Sequence, residues 1–313
     1  MFLPHLSGYA RRRRGPNAAA WTSAIAALAM ILLGGAAPGR ADSGRGFVSG
    51  AKMDTEHLFG FIEGSDIGAA GEKELEVDST ARSGRSTGSF DDAASTFEFK
   101  YTAFRNFRIS AAATLAYYDI AGVTGMEDRR AGAFQSLSFD ARFRLLERDR
   151  SPFGLTLSIE PHLGFADETS GAPISHFGWE GLLVMDRELV PDRLFGALNL
   201  HFDTDRTESV AGRGKEQQPT LGIGGALAGQ AISGLWVGGE VRYFRSYEGA
   251  GLDKFTGNAV YVGPTLYARF GEKAWLSVAF DVQAWGRAVT APGALDFVNF
   301  ERYQAKFRLG YDF

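Results

Sequence analysis

From about residue 72 to its C-terminus the chain alternates apolar and polar residues with a period of two. Phe139, Ala141, Phe143 and Leu145 take the odd places in one stretch, with Asp140, Arg142 and Arg144 between them. In another, Ala274, Leu276, Val278, Phe280 and Val282 alternate with Ser277, Asp281 and Gln283. Successive side chains of a strand point to opposite faces, so each stretch has one apolar and one polar surface. No later apolar run reaches the roughly 18 residues of a spanning helix, which excludes a helical membrane protein.

Alternation alone also fits a soluble sandwich. Strand length separates the two readings, because soluble strands run about 5 or 6 residues and tilted spanning strands about 9 to 11. Candidate strands lie near 72–82, 94–104, 106–119, 134–147, 152–165, 175–187, 193–205, 217–229, 233–247, 258–271, 273–287 and 299–313. Most are long enough to span. An open edge cannot be hydrogen-bonded in lipid, so the sheet must close.

The connections alternate as well. Tight links fall at Arg105-Asn106, Arg148 to Ser151, Val190 to Asp192, Ala231 to Ser233 and Gly271 to Lys273. Longer links rich in glycine and charge fall around 120–133, 166–174, 206–216, 248–257 and 288–298. Membrane barrels sort their connections this way, with short turns on the periplasmic side and long loops outside. If both termini are periplasmic, the strand number is even. The expected fold is all-β, a closed antiparallel transmembrane β-barrel of twelve strands over 72–313. The stretch Glu56 to Ile62 is a periplasmic lead, an inward plug, or one strand of an extra pair that would make fourteen. Residues 42–71 are therefore read as an N-terminal periplasmic lead or lumenal segment.

Residues 1–41 read as a cleaved signal peptide. Arg11 to Arg14 form a positive block, Ala18 to Ala37 run without charge, and Gly39-Arg40-Ala41 precede Asp42. A single membrane anchor is the competing reading. The chain is acidic overall, with a formal net charge of −4, so it lacks the basic footprint of a nucleic-acid binder and no such partner is expected. It has no cysteine, which removes disulfides and thiolate metal sites.

The last strand runs Tyr303-Gln304-Ala305-Lys306-Phe307-Arg308-Leu309-Gly310-Tyr311-Asp312-Phe313. Alternation with a terminal aromatic, and another two places before it, resembles the C-terminal signature of bacterial outer-membrane proteins. Thr55 to Phe61 and Val260 to Arg269 resemble the corresponding stretches of transporter-like, porin-like barrels of Gram-negative bacteria. The resemblance implies outer-membrane localisation with both termini periplasmic. It also implies outer-membrane lipid and lipopolysaccharide as surroundings, and the barrel-assembly machinery as the reader of the strand ending at Phe313. It brings no site residues with it.

With the apolar face toward lipid, the lumen receives Arg108, Asp140, Arg142, Arg144, Glu160, His162, Glu180, His201, Asp203, Glu240, Arg242, Arg269, Asp281, Lys306 and Arg308, together with Glu98 and Lys100. Arg or Lys on the lipid side would cost about 2–4 kcal/mol at mid-membrane, so the segregation tests the register. Trp236, Tyr261, Tyr267, Trp275 and Trp285 also read inward, where they fill space or stack on a solute. Phe165, Phe177, Trp179 and Phe202 would sit outside near one rim, and Phe104, Phe153, Phe270 and Phe313 near the other.

The expected function is a narrow passive diffusion channel or transporter for small solutes. One alternative is an outer-membrane hydrolase using His201, Asp203 and His162 at the rim, where a carboxylate beside an imidazole can orient a general base or hold a metal. No Gly-x-Ser-x-Gly turn supports it. The other alternative is a plugged structural or surface-recognition barrel. No catalytic residue, cofactor or metal is expected.

Overall fold

A computed structural model describes residues 53–209, 215–249, 251–291 and 293–313. The expected signal peptide lies outside the described residues. Twelve long strands follow in order: β1 (Lys73–Ser83), β2 (Ser89–Phe104), β3 (Phe107–Ala121), β4 (Arg129–Leu146), β5 (Gly154–Ala166) and β6 (Pro173–Val190), then β7 (Leu194–Ser209), β8 (Thr220–Ile232), β9 (Leu235–Glu248), β10 (Lys254–Phe270), β11 (Ala274–Ala288) and β12 (Tyr303–Asp312). The three-residue strand Lys215–Gln217 pairs with β7 ahead of β8. Each long strand pairs antiparallel with its neighbours in sequence, and β1 closes the barrel on β12 with Leu75 opposite Tyr311. The structure therefore takes the twelve-strand reading over the fourteen-strand one.

The period of two sets the two faces. Phe139 is 60% exposed while the adjoining Asp140 is 5% exposed. Phe280 is 49% exposed beside a fully buried Asp281. A soluble protein would invert this pattern, since unpaired acidic and basic groups stay wet. An apolar exterior with charges inside is the arrangement required by a sheet whose outer solvent is hydrocarbon. Phe165, Phe177 and Trp179 are exposed toward the long-loop end, and Phe104, Phe270 and Phe313 toward the short-turn end. Phe153 and Phe202 are half-buried.

Several connections depart from the sequence reading. The strand expected from 299 begins at Tyr303, because residues 293–302 fold back over the barrel mouth. There the Tyr261 hydroxyl donates to the Glu301 carbonyl at 2.6 Å, and the Gln283 amide donates to the Asp296 carbonyl at 3.0 Å. Trp285 was expected inward and is instead 49% exposed. The cause is a bulge: Val260 opposes Trp285 while Tyr261 opposes Gln283, so Ala284 is the extra residue and the phase inverts beyond it. Trp236, Tyr261, Tyr267 and Trp275 are buried as expected.

Candidate functional site

The stretch Glu56 to Ile62 forms no barrel strand. It turns tightly, with an isolated bridge from Phe59 to Ile62, and its side chains meet the inner wall. The turn passes through Gly60 at φ +85°, where a Cβ would stand 2.7 Å from that of Ala279. Only glycine suits both the backbone angle and the closeness of β11.

The segment has two faces. Leu58, Phe59 and Ile62 are almost fully buried in one apolar cluster with Met53, Phe195, Ala226, Ala228, Trp236, Tyr267 and Trp275. His57 lies flat on Trp275, with ring centroids 3.8 Å apart. The other face is ionic. Glu56 accepts two bonds from the Arg108 guanidinium, one of them at 2.7 Å, and one each from Lys100 and Arg142 at 3.2 Å. Glu63 pairs with Arg142 at 2.7 Å and with Arg308 at 3.1 Å.

Backbone groups of the segment are met from the wall too, as buried N–H groups require. Glu240 accepts the N–H of Phe61 at 3.0 Å and of Ile62 at 2.9 Å, and Asn199 accepts that of Glu63 at 2.8 Å. Arg242 lies 3.7 Å over the Phe61 ring and donates to Asp281 at 2.7 Å. Further along, Asp186 accepts from the Ser65 hydroxyl at 2.6 Å and from Arg148 at 2.7 Å. Arg148 also bonds Asp66 at 2.9 Å. Wall strands from β2 round to β12 thus hold residues 53–68 inside the barrel.

Most residues expected to face the lumen are drawn into these contacts. Asp140 accepts from Arg142 at 2.8 Å, and Arg144 donates to the Gly68 carbonyl at 3.3 Å. Lys306 pairs with Asp78 at 2.9 Å, and Arg308 bonds the same carboxylate at 2.9 Å. Arg269 stays near the short-turn end, donating to the Glu272 carbonyl at 2.7 Å. The residues of the hydrolase alternative divide into two places. His162 meets His176 edge-on with centroids 5.4 Å apart, whereas His201 pairs with Glu180 at 3.2 Å and lies close to Asp203. Glu160 shares a cavity of about 210 Å³ with Glu63 and Glu180. The inward-plug alternative for Glu56 to Ile62 is the one the structure takes, whereas sequence reasoning did not name Glu63, Asp66, Arg148 and Asp186 as lumenal groups.

Charge around the segment sets its response to pH. Burial raises the Glu56 carboxyl, but Arg108, Lys100, His57 and Arg142 outweigh it and hold the group well below its usual range. Burial, then the Asp66 carboxylate, pushes Asp54 up to about 7 from 3.8. Burial and Lys100 depress His57, yet Glu56, Glu76 and Glu74 leave it raised above 6.5. Glu56 contributes stability above about 4.5 that is lost only as pH falls through its depressed value. Asp54 works in the other sense. Its folded value exceeds its unfolded one, so its contribution is complete below 3.8 and is lost as pH rises toward 7. His57 also favours the lower pH, losing its contribution as pH rises through its raised value. The segment is therefore expected to resist proteolysis better at pH 5 than at pH 8, and Asp54→Asn to flatten much of the difference. An unchanged profile in that variant would remove Asp54 as the cause.

Cavities remain on either side of the segment. One of about 600 Å³ at the short-turn end is lined by Asp54, Asp66, Glu72, Arg105, Arg144 and Asp312 among others. One of about 340 Å³ at the long-loop end is lined by His176, His201, Asp203, Arg242, Phe300 and Glu301 among others.

The fold is similar to that of the COG4313 outer membrane channel from Pseudomonas putida F1, at 10% identity over 80% of this chain and 100% of that one, with a TM-score of 0.52. Lesser likenesses are the beta domain of the Bordetella autotransporter BrkA (15% identity, 77% of this chain and 98% of that, TM-score 0.48) and the NanC porin (10%, 76% and 98%, TM-score 0.45). At 10% identity the first of these speaks for a shared outer-membrane β-barrel fold and nothing finer. No curated protein matches the chain. Residues 51–313, the barrel together with its lumenal segment, match the family of unknown function DUF6662, and the chain belongs to that family.

Proposed function

We propose that this barrel is a channel for small polar solutes across the bacterial outer membrane, with residues 53–68 as its gate. The observation that carries the reading is the charged lumen interrupted by one covalently continuous but non-barrel segment. Cavities of about 600 Å³ and 340 Å³ lie toward opposite ends, and smaller ones of about 210 and 220 Å³ lie beside the segment itself. A barrel needing only rigidity could fill its interior from its own wall, as about eight strands do. Twelve strands enclose more space, and here a tethered piece of chain occupies it. The similarity to an outer membrane channel supports the same reading. In this proposal both termini lie in the periplasm, placing the short turns there and the His201 mouth outside. The apolar belt contacts lipid and lipopolysaccharide, and the strand ending at Phe313 is what the assembly machinery reads.

A permanently plugged barrel is the second reading, favoured by the number of ion pairs that seat the segment. Planar-bilayer recordings separate the two. The wild-type barrel should give rare small steps, and a chain lacking residues 53–67 should give larger, long-lived ones. If neither chain conducts while both keep the β-type circular dichroism of a folded barrel, the channel reading fails.

A further inference from the structure

Connections run over a protein's surface by default. Here two of the long ones turn inward at the long-loop end. Residues 293–302, between β11 and β12, meet lumen-facing groups of the wall. Asp296 is fully buried, and its N–H donates to the Gln283 side chain at 2.6 Å. Gln283 in turn donates to the Asp296 carbonyl at 3.0 Å and to the Glu301 carbonyl at 3.1 Å. Phe300 reaches Phe244 on β9, with ring centroids 6.4 Å apart. The other loop, residues 167–172 between β5 and β6, closes on itself. The Asp167 carboxylate accepts the N–H of Thr169 at 3.2 Å and of Ser170 at 2.7 Å. The Asp167 carbonyl accepts from the Gly171 N–H at 2.8 Å and from the Tyr118 hydroxyl on β3 at 3.1 Å. Backbone groups met in this way hold a loop in one place.

The β1–β2 hairpin joins the two loops. Arg82 pairs with Asp92 at 2.6 Å and donates to the Glu168 carbonyl at 2.7 Å. Three residues on, Arg85 pairs with Glu301 and donates to the Val298 carbonyl at 2.7 Å. One hairpin thus grips each loop with one arginine, whose planar fork serves a carboxylate and a carbonyl together. Glu168 and Thr169 from one loop and Phe300 and Glu301 from the other line the cavity of about 340 Å³. His201, Arg242 and Phe244 line both that cavity and the one of about 220 Å³, which reaches Phe61, Ile62 and Glu63 of the lumenal segment.

We propose that residues 167–169 and 299–301, clamped by Arg82 and Arg85, form an outer sieve that admits small solutes to the lumen and turns larger ones away. It rests on the channel reading, to which it adds a fixed filter ahead of the 53–68 gate. The width left between rigid groups is a sufficient basis for such discrimination.

Thiol labelling tests it. Leu182 on β6 is half-buried and lines the cavity of about 220 Å³, beyond the two loops. The natural chain has no cysteine, so Leu182→Cys places a single thiol there. Rates are measured on the full chain in detergent, each relative to the same thiol in the unfolded chain. A small methanethiosulfonate should react readily, and a maleimide carried on a long polyethylene glycol should be excluded. Arg82→Gln together with Arg85→Gln should raise the polymer's rate at least tenfold, leave the small reagent's rate within twofold, and keep the β-type circular dichroism. Arg130→Gln, at an exposed arginine outside the clamp, should change neither rate. Should the double variant fail to fold, excision of residues 294–299 reads the same access. The proposal is overturned if the polymer labels the Leu182→Cys chain as readily as the small reagent, if the small reagent is excluded as well, or if freeing the loops leaves the polymer's rate unchanged. Labelling reads access and not current, so the sieve and the channel reading fail separately.

Discussion

Replacing Glu56 by alanine is expected to release the lumenal segment from the wall while leaving the barrel intact. Glu56 is 1% exposed and serves three cations. Lys100 keeps Glu74 and Glu76, and Arg142 keeps Glu63 and Asp140. Arg108 is 2% exposed, and Glu56 is its ion-pair partner among the described residues, so it becomes a buried charge without compensation. Removing one partner of a buried pair costs about 3–5 kcal/mol. The barrel's own hydrogen bonds run between strands and do not pass through Glu56, so the loss should fall on the seating of residues 53–68. Limited proteolysis should then cut within that stretch at a rate at least a hundredfold higher, with the strand signal unchanged. Arg108→Met added to Glu56→Leu should recover much of the protection, because the charge is removed together with its counterpart. Equal protection of wild type and Glu56→Ala would show that the apolar face alone holds the segment.

The architecture was readable from the sequence because lipid imposes a strict rule on each strand separately. Period two assigns every residue to one face, and loop length assigns every connection to one end. Asp140, Arg142, Arg242 and Arg308 were placed inward on that basis, and the structure buries all four. The same rule failed at Trp285, where a single extra residue inverted the phase and left no mark in the pattern. It was also silent on which inward groups meet. Glu56 and Arg108 are 52 positions apart, and their meeting depends on how the segment turns at Gly60 inside a lumen whose width no local pattern encodes. Arg148 illustrates the same limit. Read as part of a tight turn, it reaches back to the Met53 carbonyl, Asp66 and Asp186. The position of a charged turn residue relative to a lumenal segment is a long-range fact. His162 and His176 meet edge-on although the register offsets them by two residues, while His201 pairs with Glu180 and lines the same long-loop cavity as His176.

A covalent tether between the segment and the wall is expected to abolish conduction reversibly. The pair Ser65→Cys and Gly154→Cys is suited to it. A Cβ built on Gly154 lies 3.0 Å from that of Ser65, and Gly154 has no left-handed backbone angle to strain. Disulfides favour about 3.8 Å between Cβ atoms, so the two backbones must part by less than 1 Å. The Asp186 carboxylate, 2.5 Å from the new Cβ, has to rotate away, and the Ser65–Asp186 hydrogen bond is lost. The natural chain has no cysteine, so no other thiol can capture the new ones. If the segment must leave the lumen for solutes to pass, the oxidised chain should show no steps in a planar bilayer. Reduction with dithiothreitol should restore them, because thiols leave the segment held only by non-covalent contacts. Each single-cysteine variant should conduct like wild type in both redox states. Undiminished conduction by a chain whose thiols titrate as fully oxidised would place the solute path beside the segment, among Glu63, Glu160, Glu180 and Arg308, rather than through its displacement. The two outcomes differ in kind: a moving gate is silenced by the bond, whereas a fixed constriction is indifferent to it.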